Sequence, residues 1–329
     1  MKVLVTGANG FLAANIVREL NRRGVPVRGL VRSSADLSAL EGADCELITG
    51  SYMNERDLDQ AMETCDFVIH PAAFTGPTPT DLKYYLEPNV EGTRKVLQAC
   101  LQKGIKRLVY VSTVNTIGFG TENHPGREDW PLDGRPFSHS GYAQSKVMAE
   151  NLIREAIDNQ GLNAVIVNPT FIIGPYDAKP SSNRMLLIYF ERSFSLIPPG
   201  GKNFVYVGDV AVATCNALEM GKSGERYILA HRNLTLNAFF DLVEKVVGRK
   251  QRRIHIPGPL IRLAGQAGQL FNIFGSDYQL DPVTAHILCI RNFYTAEKAI
   301  RELNMPQTPI EQAIQESWEW LQQHKTKAG

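Results

Sequence analysis

Tyr142 and Lys146 stand four residues apart in a stretch, Ser140 to Glu150, that runs without proline from a polar opening into good helix formers. A helix sets positions four apart on one face, with Cβ atoms about 5–6 Å from each other. The opening predicts that Tyr142 lies near the helix start. A free phenol titrates near ~10 and exchanges protons poorly at neutral pH. A fixed cation within about 4–6 Å favours the phenolate and moves the group toward the range where general acid–base transfer is efficient. Such a pair suits an oxygen that alternates between carbonyl and alcohol. On its own the spacing is ordinary, because an exposed Tyr and Lys on one helix face usually meet only solvent. The remaining chain must place a hydride carrier beside it.

The first residues do so. Val3-Leu4-Val5 reads as a strand, Thr6 to Ala13 as a glycine turn, and Leu12 to Arg23 as a helix. In that context Gly7 permits the tight turn and Gly10 lets the backbone approach a pyrophosphate, while free amides at the helix start attract the anion. Ala13 stands where close helix–strand packing commonly has glycine. The second strand ends at Val31, followed by Arg32, Ser33 and Ser34. An NAD-selective site carries an acid there for the ribose 2′-hydroxyl; Arg32 instead offers a guanidinium to a 2′-phosphate. NADP(H) is therefore preferred, with NAD(H) the alternative.

The alternation continues with a strand at Cys45 to Ile48, a helix at Glu55 to Glu63, and a strand at Phe67 to His70 that ends in the small run Pro71-Ala72-Ala73. A polar loop spans Phe74 to Glu87, a helix Asn89 to Lys103, a strand Arg107 to Ser112, and a further strand Ala164 to Pro169. This spacing predicts an α/β fold with a parallel, doubly wound sheet, its apolar strands buried on both faces. Thr113 falls at the carboxyl end of the fifth strand, where such sheets meet ligands. Beyond Pro169 the regular pattern breaks, and Met185 to Ile197 suggests a cap. Phe204 to Val210 enters a helix from Val210 to Gly221, Tyr227-Ile228-Leu229 supplies a last sheet strand, and a helix spans Leu236 to Gly248. Apolar residues between Leu260 and Phe274 recur at helical spacing, and a final helix spans Ile310 to His324, with Trp318 expected in the core.

Composition narrows the function classes. The chain has 329 residues, 43% hydrophobic and 21% charged, with a net charge of +1, which is ordinary for a soluble protein and gives no reason to expect nucleic acid. Five widely spaced cysteines without a Cys-x-x-Cys point to reduced thiols in the cytoplasm. Scattered histidines give no metal site. A strand at Lys2 to Thr6 leaves no room for a signal peptide. No apolar run reaches the roughly 18 residues of a membrane span.

Taken together, these motifs resemble the extended short-chain dehydrogenase/reductases over nearly the whole chain. Thr6-Gly7-Ala8-Asn9-Gly10-Phe11-Leu12 is similar to the family's opening, and Asn89-Val90-Glu91-Gly92-Thr93 to its helix start. Ser112-Thr113 with Gly118, the Tyr142/Lys146 pair, and Phe204 to Ala211 match further signatures. Asn168 to Pro175, with Pro198 to Asp209, resembles the dihydroflavonol 4-reductase and 3β-hydroxysteroid dehydrogenase branch. The resemblance implies a Rossmann domain over residues 1–168. The remainder, 169–329, would mainly bind substrate as a smaller C-terminal cap, with roughly 204–248 returning to the Rossmann sheet. It implies Tyr142 as general acid/base, Lys146 on the nicotinamide ribose, Thr113 orienting the carbonyl, and Arg32 on the 2′-phosphate. Cofactor contacts would come from Thr6, Gly7, Asn9, Gly10, Phe11, Leu12, Arg32, Ser51, Tyr52, Pro71, Ala72, Ala73, Asn89, Val111, Pro169, Phe171 and Ile172, besides Tyr142 and Lys146. At Gly50-Ser51 the family commonly has Gly-Asp, so adenine contact is weaker here. Family dimers pair the helices of Asn89 and Tyr142, although no residue here independently requires a homodimer.

The expected reaction is reduction of a ketone or aldehyde, or its reverse. A sugar-nucleotide epimerase or dehydratase is the main rival, and a non-catalytic NADP-binding regulator a further one. Dehydratases of the family carry acids just after the catalytic Thr, where Val114 and Asn115 stand here. Between Asn168 and Gly201 the cations are Lys179, Arg184 and Arg192, while Phe171, Ile172, Tyr189 and Phe194 are apolar or aromatic. That favours an apolar or aromatic small-molecule substrate over a nucleotide diphosphate.

Overall fold

The computed structural model describes residues 1–76, 81–132, 134, 136–180, 182–266 and 280–325. In chain order the first part comprises β1 (Val3–Thr6), α1 (Phe11–Arg22), β2 (Val27–Val31), β3 (Glu46–Thr49), α2 (Glu55–Met62) and β4 (Phe67–His70). Next come α3 (Lys83–Tyr85), α4 (Gly92–Gln102), β5 (Arg107–Val111), α5 (Gly141–Gln160) and β6 (Ala164–Pro169). The second part runs through β7 (Phe171–Ile173), α6 (Arg184–Glu191), β8 (Phe194–Ile197), β9 (Gly201–Tyr206), α7 (Val207–Asn216), β10 (Arg226–Leu229) and β11 (Arg232–Thr235). It closes with α8 (Leu236–Val247), β12 (Arg252–His255), α9 (Gly258–Gln266), α10 (Pro282–Ile287), β13 (Arg291–Asn292), α11 (Glu297–Leu303) and α12 (Ile310–Lys325).

Seven strands form one parallel sheet in the order β10-β6-β5-β4-β1-β2-β3. Successive residues of one strand feed opposite faces: Val3 and Val5 enter one core, Leu4 the other. This double burial explains the unbroken apolar run. The order reverses between β1 and β4, and that switch point opens a crevice at the carboxyl ends of the strands. The expected Rossmann architecture is present.

Between β4 and β5 the helix starts earlier than the sequence suggested. α3 already begins at Lys83, and a π-helical turn, Leu86–Glu91, joins it to α4. Pro88 lies inside that turn. It has no N–H to donate, and the chain widens there before regular helix resumes. Residues 77–80 of the expected loop lie outside the described residues.

The smaller part is built on a second sheet, β11-β9-β13 with β7 also on β9. Between residues 204 and 248, α7 packs on α1 and β10 completes the large sheet, whereas α8 packs on α12 over the small one. Its core is aromatic, with Phe204 stacked on Phe239 at 4.0 Å and Tyr189 on Phe240 at 4.1 Å between ring centroids. On α12 the buried face is Ile310, Ala313, Ile314, Ser317, Trp320 and Leu321. Trp320, not Trp318, is the buried tryptophan, because it continues that helical stripe. Trp318 lies at the stripe's flank against Phe190. Of the apolar stretch from Leu260, α9 is described as far as Gln266, and Ala267, Leu270, Phe271 and Phe274 lie outside the described residues. No helix among the described residues is long and apolar enough to cross a membrane.

Candidate active site

The site starts at the switch point. Gly7 has φ +58°, and a Cβ added there would sit 3.1 Å from the Ala72 Cβ. Both the left-handed backbone and this close approach require glycine. Gly10 precedes α1 without a side-chain cap, and no acid lies in the helix's first turn. The first amides of α1 are therefore left for an outside acceptor, and the dipole favours an anion. Ala13, behind the loop, is 2% exposed and small enough for α1 to pack closely on the sheet. Asn9 Nδ2 donates to the Asp36 carbonyl at 3.1 Å and braces the loop. Thr6 Oγ1 lies 2.7 Å from His70 Nδ1 inside the sheet. These residues fit the pyrophosphate of a dinucleotide. Phe11 and Leu12 open α1 half-buried.

Further along the crevice, Arg32 is exposed just past β2 and makes no side-chain hydrogen bond or ion pair among the described residues. Its charge acts on Tyr52, whose phenol burial pushes up and Arg32 pulls back. Ser51 Oγ accepts from Met53 N at 3.1 Å, and Ser51 N donates to Asp57 at 2.8 Å. Ser51 thus shapes the turn beside Tyr52. Pro71, Ala72 and Ala73 line the end of β4, half-buried.

Asn89 behaves differently from a ligand-facing residue. It is 1% exposed; Oδ1 accepts from Phe74 N at 2.7 Å, and Nδ2 donates to Phe74 O and to Ser145 Oγ, each at 3.0 Å. Its amide is consumed in holding the segment after β4 against α5.

α5 carries Tyr142 and Lys146. Ser140 caps it, accepting from Ala143 N, so Tyr142 falls in the first turn as the sequence predicted. Lys146 is 1% exposed, donates to the Val111 carbonyl at 2.8 Å, and lies 4.1 Å from the Tyr110 ring centroid. Burial pushes its ammonium down to about 7, with Glu150 opposing. Tyr142 is pushed up to about 12, first by burial and then by the neighbouring Tyr85, while the facing Thr113 hydroxyl acts in the opposite sense. The four-residue spacing alone predicts that Lys146 lowers this phenol. It does not in the protein alone, because Lys146 is buried beneath the half-buried Tyr142 and its ammonium is directed to the end of β5. Thr113 stands just past β5, its Oγ1 accepting from Asn115 N at 3.3 Å.

Three features went unread in the sequence. Tyr85, placed in a loop, is fully buried and edges the Tyr142 ring at 6.0 Å. Glu150 and Asn168 form a buried polar knot behind Thr113: Asn168 Nδ2 donates to the Thr113 carbonyl at 2.9 Å, and Thr116 Oγ1 donates to Glu150 at 2.7 Å. Glu150 follows Lys146 by one helical turn, a spacing that could have flagged it. Lys202, one residue past Gly201, lies 5.4 Å from the Phe171 ring centroid. Pro169 ends β6, and Phe171 and Ile172 open β7 onto β9. Among the described residues no His, Cys, Asp and Glu group could hold a metal.

Residues 3–230 match the model of the NAD dependent epimerase/dehydratase family, and the chain belongs to that family. It is 33% identical to a putative dihydroflavonol 4-reductase of Synechocystis sp., over 97% of this chain and 94% of that one. It is also 32% identical to sterol demethylase protein B of Methylococcus capsulatus, over 80% of this chain and 79% of that protein. The solved structure of gox2253 superposes with a TM-score of 0.83 at 29% identity, covering 98% of both chains. That of Thermus thermophilus UDP-glucose 4-epimerase with NAD gives 0.76 at 22% identity, over 98% of this chain and 99% of that one, and shows the shared fold. The resemblance to extended short-chain dehydrogenase/reductases holds, and the chain is an NAD(P)-dependent oxidoreductase of that family.

Proposed function

We propose that this chain reduces a ketone or aldehyde to an alcohol with NADPH, or runs the reverse, with Tyr142 as proton donor and acceptor. The observation that carries the reading is the Tyr142 phenol facing the Thr113 hydroxyl, with Lys146 seated one turn further along α5. A phenol pushed up to about 12 keeps its proton throughout the neutral range, as a donor to a developing alkoxide must. Thr113 and Tyr142 would share the charge that appears on the substrate oxygen in the transition state. Gly7, Gly10 and the start of α1 would take the pyrophosphate, Arg32 the 2′-phosphate, and Lys146 the nicotinamide ribose. The bound cofactor supplies the hydride.

Residues 1–168 would form the cofactor-binding part and 169–329 mainly the substrate-binding part, for an apolar or aromatic substrate. A homodimer through the helices of Asn89 and Tyr142 belongs to the same proposal, as does a cytoplasmic setting. Val114 and Asn115, in place of acids, speak against elimination chemistry on a sugar nucleotide. The test is NADPH oxidation with a panel of aromatic and aliphatic ketones and aldehydes. Turnover of at least one, abolished in Tyr142→Phe, is expected. Tight NADPH binding without any turnover would favour the regulatory alternative.

A further inference from the structure

Lys202 on β9 and Asn292 on β13 are direct partners in a parallel ladder, so their side chains leave the small sheet on the same face. The Lys202 ammonium has no hydrogen-bond or ion-pair partner among the described residues. Asn292 is 6% exposed, and its side-chain oxygen is buried without a partner. Buried polar groups are almost always hydrogen-bonded, and an orphan needs a reason. The buried Asn292 oxygen is the orphan, and beside it stands the ammonium of the half-buried Lys202, which solvent meets; a ligand reaching both would give the first a partner and the second a counter-ion.

Their surroundings adjoin the reacting groups. Lys202 lies against Phe171, two residues past the carboxyl end of β6. α10, which leads into β13, packs on the single helical turn Phe137–His139, which ends just before Ser140 and Tyr142. Tyr294, two residues past Asn292, donates to the Val114 carbonyl at 3.3 Å, beside Thr113.

We propose that Lys202 and Asn292 form a carboxylate-recognition site at the substrate end of the crevice. The substrate class is then a carbonyl compound with an apolar or aromatic body and a carboxylate remote from the reacting carbon. This deepens the reductase reading and rests on it. The ammonium supplies a charge-assisted hydrogen bond. Asn292 supplies a second donor when its amide turns, since oxygen and nitrogen of that group exchange places at no steric cost. One cation matches the single negative charge of a carboxylate. Phe171 gives the body an aromatic wall. Burial pushes Lys202 down to about 8, so it is charged at neutral pH and gains from a counter-ion.

The experiment uses 4-oxo-4-phenylbutanoate and its methyl ester as probes, with full-length protein saturated with NADP. Calorimetry measures binding to the wild type, Lys202→Met and Asn292→Leu, with circular dichroism and NADP affinity confirming intact folds. The acid should bind roughly tenfold or more tightly than the ester, the size of a charge-assisted contact. Lys202→Met should bring the acid to the ester's affinity and leave the ester unchanged; Asn292→Leu should shift the acid part of the way. Equal binding of acid and ester, no measurable binding of the acid, or equal losses for both in Lys202→Met would each overturn the site. Binding needs no turnover, so the two readings fail separately. Retained acid preference without NADPH oxidation counts against the reductase, and ketone reduction without acid preference counts against the carboxylate site.

Discussion

Asn168 Nδ2 donates to Glu150 Oε1 at 2.9 Å inside the molecule, joining the end of β6 to α5. Glu150 is 1% exposed, and its other oxygen meets Arg154 at 3.3 Å and Arg226 at 3.6 Å. A carboxylate taken this far from water persists only when its partners satisfy it.

Replacing Glu150 by Gln removes that charge and takes from Arg226, itself mostly buried, its ion-pair partner, leaving Glu128 and Asp129 as the carboxylates acting on it. We expect a loss of about 3 kcal/mol in urea unfolding, at the lower end for a broken buried pair because Arg154 reaches solvent. A stability equal to the wild type's would show that the knot contributes nothing net.

His70 supplies a pH-dependent prediction. Burial, and then the nearby Lys146, push its imidazole down to about 3, against an ordinary value near ~6.5. Between these two values the unfolded chain holds the extra proton, so stability falls as pH falls through the window, by up to about 1.4 kcal/mol per pH unit. Above the ordinary value this contribution is fully present. His70→Asn should flatten that acid limb; an unchanged limb in equilibrium denaturation across the window would refute the assignment.

Tyr142→Phe keeps the ring beside Tyr85 and deletes the hydroxyl. Turnover should drop by at least ~10²-fold, the usual contribution of a positioned acid, while NADPH affinity stays within error. Comparable kcat in the variant would remove the phenol from its role.

Arg32 is exposed and unpaired among the described residues, so Arg32→Ala should change stability by less than about 0.5 kcal/mol. Its effect should fall on cofactor choice, with NADPH binding weakened about 10–100-fold and NADH untouched. Equal losses for both nucleotides would detach Arg32 from the 2′-phosphate.

The parallel sheet was legible because its strands are short apolar runs between helices, and the glycine turn because strand and helix flank it directly. Tyr142 and Lys146 were legible as a spacing, but their electrostatics were not. The spacing says that the two side chains share a helix face; the burial of Lys146, and the Val111 carbonyl that takes its ammonium, come from elements far away in the chain. Tyr85 was hidden by the Pro88 turn, whose proline reads as a loop signal. Asn292 and Lys202 are 90 positions apart by number, and only the strand pairing reveals them as neighbours.

The Asn89 amide grips both the N–H and the C=O of Phe74, as a neighbouring strand would, and also reaches Ser145 on α5. The wall after β4 is thereby tied to α5 through one side chain. The width of the crevice on that side is set before any molecule enters, and adjustment to differently shaped guests falls to the opposite rim, on the small sheet.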